Sequence, residues 1–234
     1  MSSRFKVYST DPCVYSLFFN EKTSWELSEL SAYFASLFPE LEEVTTTFHS
    51  INIFFSEPCD FKAIRSLLYE IDFTQFNRKP PMQCWEVPLC LEEEYTEDLY
   101  AYFEGNTEKV NHYIQQFLSL TFTLEFYGFL PGFGYLSGLP EEMILDRKNS
   151  PNKVTQKGTV AIGGEQVGVY PQDSPGGWQG VGYCPVPWFF PNKSPSYFVA
   201  LGDAVRFVSV DKAKCESIRL AVEMDVYTPK VIKL

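Results

Sequence analysis

Residues Phe126–Tyr183 read FYGFLPGFGYLSGLPEEMILDRKNSPNKVTQKGTVAIGGEQVGVYPQDSPGGWQGVGY and hold twelve of the chain's 14 glycines. Glycine adopts left-handed backbone conformations and lets other groups approach closely, so this concentration marks unusual backbone geometry. Three knots of glycine, proline and aromatic residues, FLPGFGYLSG, AIGGEQVG and YPQDSPGGWQG, separate short β-rich runs. The stretch predicts a β-domain whose turns either form the wall of a ligand or partner site or serve only as tight connections.

Further helices and strands are predicted on both sides of this stretch. Two helices with helical spacing of apolar residues, Thr96–Phe103 and Glu108–Phe117, precede it, and Asn106 is placed to cap the second helix. The spacing of the strands predicts a β-barrel or a sandwich. The predicted strands are Cys84–Leu91, Leu120–Tyr127, Thr159–Ile162, Val167–Tyr170, Gly180–Cys184 and Ala204–Val210.

The first 80 residues predict a smaller α+β unit of order β-α-β-β-α, with its helices on one face of a sheet. The first helix starts at a capping box formed by Thr23 and Glu26, carries Leu27, Leu30, Phe34, Leu37 and Phe38 on one face, and ends at Pro39. The second helix has Phe61, Ile64, Leu67, Leu68 and Ile71 at helical spacing. The predicted strands are Val14–Phe19, Val44–Phe48 and Ile51–Phe55.

The segment QFNRKPPMQ interrupts the pattern, because Pro80-Pro81 disfavours both a helix and a central strand. We therefore predict two domains, residues 1–80 and 84–234. The fold class is α+β: a small N-terminal domain followed by a C-terminal β-barrel domain.

Composition narrows the classes of function. The 234 residues are 45% hydrophobic with a net charge of −11, so the chain can bury a sizeable core and is a poor match for the phosphates of nucleic acid. We find no signal-peptide pattern and no apolar run long enough to span a bilayer, and we expect a cytoplasmic protein with no membrane partner. The six cysteines are scattered and are expected to be buried thiols, and the two histidines are too far apart to predict a zinc site.

The knot FLPGFGYL carries the first candidate site residues. Phe129, Phe133 and Tyr135 surround the turn Pro131–Gly132, where rigidly held aromatic rings can line an apolar pocket, anchor a partner or simply pack in the core. We expect the aromatic rings of FLPGFGYL and SPGGW to be exposed and to mark a docking face, so replacing Phe133 by alanine should weaken a complex and leave the fold largely intact. If Phe133 is a core residue, the same change should instead cost roughly 3–5 kcal/mol of stability.

Polar candidates follow the knot. Arg147 lies in a locally basic segment, Asp146–Lys157, and could clamp a carboxylate or a phosphate, whereas any single lysine there is more simply a solvated surface residue. Gln166 follows Gly163-Gly164-Glu165, so it either points at a ligand or belongs to a hairpin tip.

The knot SPGGW is the sharpest local pattern. Successive amides of Gly176 and Gly177 could form an anion-binding nest, Ser174 offers a hydroxyl and Trp178 offers a stacking face. The alternative is a tight turn closed by a packed tryptophan. The chain contains neither a Walker phosphate-binding motif nor a nucleophile elbow, and it is too poor in histidine to favour a Ser-His triad.

In order and spacing, GFLPGFGYLSGL, Arg147, GTVAIGGEQVGVYPQDSPGGWQGVGYCPV and LGDAVRFVSV resemble the family of the 5-oxoprolinase B subunit, also called the allophanate hydrolase subunit 1 family. The likeness is strong from Glu86 to Val210. Two segments, LEEEYTED and QQFLSLTF, depart from the family pattern. The matching positions are Phe129, Leu130, Pro131, Gly132, Phe133, Arg147, Gln166, Tyr170, Pro171, Ser174, Pro175, Gly176, Gly177 and Trp178.

The resemblance implies a small N-terminal α/β domain and a C-terminal cyclophilin-like β-barrel. It also implies a role with partner subunits A and C in the ATP-dependent opening of 5-oxoproline to glutamate, with ATP bound somewhere in the complex. From the chemistry we expect Arg147 to bind a carboxylate or a phosphate, Gln166 to contact the ring amide and the Gly176 and Gly177 amides to bind an anion.

Two other functions remain open from the sequence. The same family includes an inhibitor of a sporulation kinase, so a regulatory module that inhibits a sensor histidine kinase is one alternative. A subunit of an allophanate hydrolase or urea carboxylase type of complex is the other. The neighbouring genes discriminate: a gene for the C subunit favours the enzyme and a kinase gene favours the regulator.

Overall fold

The chain divides into two compact units, Met1–Pro81 and Met82–Leu234, each built on its own apolar cluster. The predicted boundary at residues 80–81, the predicted cap at Thr23 and the predicted helix end at Pro39 lie outside the described residues. The computed structural model describes residues 5–20, 24–38, 40–72 and 83–232.

The N-terminal unit is a four-stranded antiparallel sheet of order β1-β2-β4-β3 with two helices. Its order is β-β-α-β-β-α, because a first strand that the sequence analysis missed pairs with β2 at the edge of the sheet. The elements are β1 Phe5–Asp11, β2 Val14–Phe19, α1 Ser24–Leu37, β3 Leu41–Thr46, β4 Ser50–Phe55 and α2 Phe61–Glu70.

Both helices bury their apolar residues in one cluster with the sheet. Leu17 of β2, Phe34 of α1 and Leu68 of α2 are all fully buried there, so the helices cover a single face, as predicted. Leu37 and Leu67 belong to the same sequence patterns but are 42% and 50% exposed, because they lie at the margins of the helical faces.

Strand β3 starts earlier and ends earlier than predicted. Thr47 bonds to Ser50 through its amide, at 2.9 Å to the Ser50 carbonyl, and through its hydroxyl, at 2.8 Å to the Ser50 hydroxyl. These bonds form the turn between β3 and β4, so Phe48 leaves the sheet.

The C-terminal unit contains the glycine-rich stretch and is a β-barrel with three helices. A 3₁₀ turn, Glu141–Met143, follows β7. The elements are β5 Cys84–Cys90, α3 Glu93–Tyr102, α4 Thr107–Ser119, β6 Phe122–Tyr127, β7 Gly134–Ser137, β8 Asn152–Thr155, β9 Thr159–Gly163, β10 Gln166–Val169, β11 Ser174–Gly176, β12 Gln179–Tyr183, β13 Ala204–Val210, α5 Lys212–Glu223 and β14 Lys230–Ile232.

Seven strands close the barrel in the order β12-β9-β10-β7-β6-β13-β5. Pairing of Tyr183 with Cys90 joins β12 back to β5, and β14 extends the sheet on β5. The β13–β5 pair is parallel, whereas the other pairs are antiparallel. The α+β class and the C-terminal barrel are therefore confirmed.

Alternating residues fill the barrel, but one predicted face is broken. Phe122 and Leu124 lie in the core, as the alternation predicts. A shift of register between Leu124 and Phe126 then pairs Phe126 with Tyr135, and the two rings stack with centroids 4.4 Å apart. The bulge turns Phe126 to the outer side of the barrel, where the candidate site lies.

The helices flank the barrel, and the limits of α3 and α4 differ from the predicted ones by one to three residues. Helix α3 begins three residues earlier than expected, where Glu93 and Glu94 complement the positive end of the helix. Asn106 caps α4, as predicted, by accepting a bond from the Lys109 amide at 3.0 Å. The sequence analysis missed α5, although Asp211 caps it by accepting from the Lys214 amide.

No helix among the described residues is both long and apolar enough to cross a membrane.

Candidate functional site

The glycines of strands β9 and β10 leave places on the outer face of the barrel from which no side chain projects. Ile162 and Val167 point into the barrel core, whereas Gly163 and Gly168 face outward. A side chain at Gly168 would put its Cβ 2.6 Å from the ring of Phe133, and one at Gly163 would collide with the indole of Trp178. The glycines therefore let aromatic rings lie directly on the backbone of the barrel.

The FLPGF turn sends its two phenylalanines in opposite directions. Phe129 adopts a left-handed φ of 64° and Gly132 one of 88°, and the Phe133 amide closes the turn on the Leu130 carbonyl at 2.9 Å. As a result Phe133 is 1% exposed and Phe129 is 62% exposed. The expectation that Phe133 is an exposed docking residue is wrong, because its ring fills the space above the glycines.

An aromatic cluster separate from the barrel core results. Phe133 meets Tyr170 and Trp178 edge to face, with centroids 5.1 and 5.5 Å away, and Tyr135 meets Trp178 at 5.8 Å. Burial raises the pKa of the Tyr170 and Tyr135 phenols, so both remain neutral hydrogen-bond donors at neutral pH. Phe133, Tyr170 and Trp178 are buried in this cluster, and Tyr135 is its partly exposed ring.

The SPGGW knot forms the facing wall. Gly176 lies in β11 and neither Gly176 nor Gly177 has a left-handed φ, so the predicted anion-binding nest is not formed. A side chain at Gly176 would collide with the hydroxyl of Tyr170, which explains the glycine there. Ser174 is buried behind this wall and does not line the cavity.

The basic segment runs along the rim. The Arg147 guanidinium lies 5.6 Å from the centre of the Trp178 ring and is exposed. Lys148 is more recessed: its side chain is 14% exposed and its ammonium group pairs with Asp98 at 2.7 Å. The second Asp98 oxygen accepts the Gly180 amide at 2.8 Å, so this carboxylate links α3, the basic segment and β12.

The aromatic cluster, the SPGGW knot and the basic segment line an open cavity of about 380 Å³. The lining contains two cationic side chains and no carboxylate, in a chain whose net charge is −11. It therefore suits a small ligand with a flat apolar part and a negative charge. The lining residues are Phe129, Phe133, Tyr135, Arg147, Lys148, Pro151, Tyr170, Pro175, Gly176, Gly177 and Trp178.

Six of the ten predicted site residues line this cavity: Phe129, Phe133, Arg147, Gly176, Gly177 and Trp178. The other four do not.

Those four residues have identifiable places. Gln166 pairs with Gly163 beside the hairpin tip, as one of the two sequence interpretations had it. Pro131 is exposed at the turn, whereas Gly132 is held against Phe189, where a side chain would collide. Ser174 is buried, as described above.

Tyr135, which the sequence analysis named with the rings of the FLPGFGYL turn, lines the cavity, and so does Lys148, which was interpreted as a solvated surface lysine. Pro151 as a lining residue and Asp98 as the partner of Lys148 were missed. Asp98 gave no local signal: it lies 50 residues from Lys148 in the chain, inside the segment LEEEYTED that departs from the family pattern.

Other chemistry is less well supported by the geometry. All six cysteines are free thiols, and burial raises the pKa of Cys184 to about 12 and that of Cys215 to about 12, which disfavours the nucleophilic thiolate. The prediction of buried thiols holds for four of them, whereas Cys13 and Cys59 are partly exposed. Within the described ranges, no group of three or more His, Cys, Asp or Glu side chains is placed to hold a metal ion.

The close contact at Gly168 gives a first prediction. Replacing Gly168 by alanine should destabilise the protein by about 1–3 kcal/mol, because the new methyl group would displace the buried Phe133 ring. Gly177→Ala is the matched control, since its Cβ would meet nothing nearer than 3.6 Å and we expect a change within about 0.5 kcal/mol. Urea denaturation of both variants measures the difference, and equal stabilities would contradict the packing argument.

Comparison with known proteins agrees with this architecture. Residues 5–199 match the family model described as carboxyltransferase domain, subdomain C and D. The B subunit of 5-oxoprolinase from Haemophilus influenzae is 31% identical over 173 residues, which cover 72% of this chain and 79% of that protein. Its Bacillus subtilis counterpart is 34% identical over 127 residues, 54% of this chain and 53% of that protein.

A solved structure shows the same fold at lower identity. The urea amidolyase of K. lactis superposes with a TM-score of 0.75 at 15% identity, over 97% of this chain and 16% of that chain. This likeness concerns the fold alone, whereas the family model covers most of the chain and confirms the resemblance carried by FLPGF and SPGGW. The chain therefore belongs to the carboxyltransferase domain, subdomain C and D, family.

Proposed function

We propose that this chain is a subunit of an ATP-dependent 5-oxoprolinase complex that opens 5-oxoproline to glutamate in the cytoplasm. The observation that carries the proposal is the cavity lined by aromatic rings and two cations, in a chain related to proteins named as B subunits of 5-oxoprolinase. 5-Oxoproline combines a flat lactam ring with one carboxylate. The rings of Phe129 and Tyr135, which are accessible at the cavity, would pack on the lactam, and the cations would bind the carboxylate.

The reaction explains why partners and ATP are needed. Hydrolysis of this unstrained lactam runs uphill, so it must be coupled to ATP, and phosphorylation of the amide oxygen would make that bond easier to break. The chain carries no recognisable nucleotide loop, and we assign ATP to the complex rather than to this chain. The expected partners are subunits A and C.

The roles expected from the sequence change for Gln166 and for the amides of Gly176 and Gly177, which form no anion-binding nest. Arg147 stays a candidate for the carboxylate or a transferred phosphate, and the exposed ring of Phe129 and the partly exposed ring of Tyr135 become the candidate ring-binding walls. Gln166 does not line the cavity, so we no longer assign it to the ring amide.

Reconstitution tests the proposal. The chain mixed with the products of neighbouring genes that encode the expected subunits should hydrolyse ATP in a 5-oxoproline-dependent manner and release glutamate. The chain alone should show negligible turnover. The control is the same mixture without this chain, and a complete mixture that releases no glutamate would contradict the proposal.

A second function is favoured by one observation. The superposition on urea amidolyase over 97% of this chain fits a subunit of a urea carboxylase type of complex. Adding urea and bicarbonate in place of 5-oxoproline to the same mixture separates the two functions, because only one substrate set should support ATP hydrolysis.

A further inference from the structure

The two cations of the cavity are not equivalent. Arg147 is exposed and lies over the outer edge of the aromatic cluster, whereas the Lys148 side chain is 14% exposed. Water competes less for hydrogen bonds to a recessed ammonium group. A bond from Lys148 to a ligand therefore contributes more to the binding free energy than a bond made at the rim.

Lys148 is also fixed more firmly than a surface lysine. Its amide donates to the Gly177 carbonyl at 2.7 Å, which ties the backbone to the SPGGW wall. The Gln179 amide group donates to the Asp146 carbonyl at 2.9 Å, and Asp98 holds the ammonium group. These bonds place the lysine before any ligand arrives, so binding would cost little ordering of this side chain.

The ammonium group retains donors for a ligand. It has three N–H groups, and among the residues that the structure describes Asp98 is its one ion-pair partner. Asp98 offsets one positive charge, but it does not line the cavity, and Arg147 adds a second cation at the rim. The local balance of one net positive charge matches a ligand with a single carboxylate.

From this arrangement we propose that Lys148, held by Asp98, binds the carboxylate of the ligand and thereby selects carboxylated lactams over uncharged ones. This inference rests on the proposed function for its ligand class. It assigns Arg147 a secondary part at the rim.

The test compares two probes on the full chain: 5-oxoproline and 2-pyrrolidinone, which has the same lactam ring without the carboxylate. Ligand-observed NMR measures both dissociation constants. The wild-type chain should prefer 5-oxoproline by about 10- to 100-fold, the range expected for a hydrogen bond to a charged group. Lys148→Met should remove most of this preference while leaving 2-pyrrolidinone binding unchanged, and Lys148→Arg should restore part of it.

Two controls separate ligand binding from a structural role. Lys153→Met removes an exposed lysine of β8 that does not line the cavity, and it should keep the wild-type preference. The double variant Asp98→Asn with Lys148→Met leaves neither partner of the ion pair charged. The side-chain oxygen that remains at position 98 can still accept a hydrogen bond from the Gly180 amide. This variant should fold and should also lack the preference, even if Lys148→Met alone is unstable.

Several results would overturn the inference. The first is that the single or the double Lys148→Met variant keeps the wild-type preference for 5-oxoproline. The second is that the preference is lost in Arg147→Met alone. The third is that the wild-type chain binds neither probe or binds both equally. The proposed function is judged separately by glutamate release from the wild-type complex. An active complex whose Lys148→Met form keeps full activity refutes the role of Lys148 alone.

Discussion

Replacing Phe133 by alanine should destabilise the C-terminal unit by about 3–5 kcal/mol, because the change removes a fully buried ring. The ring touches Tyr135, Tyr170 and Trp178 and covers Gly168, so few of these neighbours can move inward to fill the space. The melting temperature should fall by roughly 6–20 °C. Three of the four tryptophans lie in this unit, so intrinsic fluorescence reports its unfolding.

Phe129→Ala is the matched control for Phe133→Ala. The two phenylalanines belong to one turn, but Phe129 is 62% exposed, and its loss should change the stability by no more than about 0.5 kcal/mol. If a partner subunit docks on this turn, pull-down should show the effect with Phe129→Ala rather than with Phe133→Ala. Equal stabilities of the two variants would contradict the assignment of Phe133 to the cluster.

Replacing Asp203 by alanine should cost a similar amount, about 3–5 kcal/mol, because it removes three hydrogen bonds to a buried carboxylate. Asp203 is 5% exposed and accepts from the Gln83 amide at 2.9 Å, the Trp85 indole at 2.8 Å and the Ala200 amide at 3.0 Å. These bonds join the starts of β13 and β5, the parallel pair of the barrel.

Urea denaturation measures the cost at Asp203. Asp146→Ala is the control, because that side chain is exposed and we expect a change within about 0.5 kcal/mol. A loss below about 1 kcal/mol for Asp203→Ala would mean that water replaces the carboxylate, contrary to its burial.

Local patterns predicted much of the fold because helices, strands and turns follow from neighbouring residues. Helix α4 begins at the predicted cap Asn106, and β13 has the predicted bounds Ala204–Val210. Strand β1 and helix α5 were missed, although a capping aspartate precedes α5. The face of Phe126 was wrong, because a bulge depends on the partner strand and not on the alternation within β6.

The candidate site, like the fold, was predicted from the sequence only in part. Phe129, Phe133 and Trp178 were predicted because their knots concentrate glycine, proline and aromatic residues within a few positions, and Arg147 was predicted because it lies in a locally basic segment. The nest at Gly176 was wrong, because the same two glycines can serve a turn or allow a close approach. Only the position of Tyr170 distinguishes the two.

By itself the sequence determined the class of the C-terminal unit, the position of its special turns and the family, because each depends on residue type and on spacing along the chain. The tertiary structure alone decided that Phe133 is buried and Phe129 exposed, and that Asp98 holds Lys148 across 50 positions. The physical reason is that burial and ion pairing are set by which segments meet when the barrel closes. The residues next to each position in the sequence do not determine which distant segments it meets in the closed barrel.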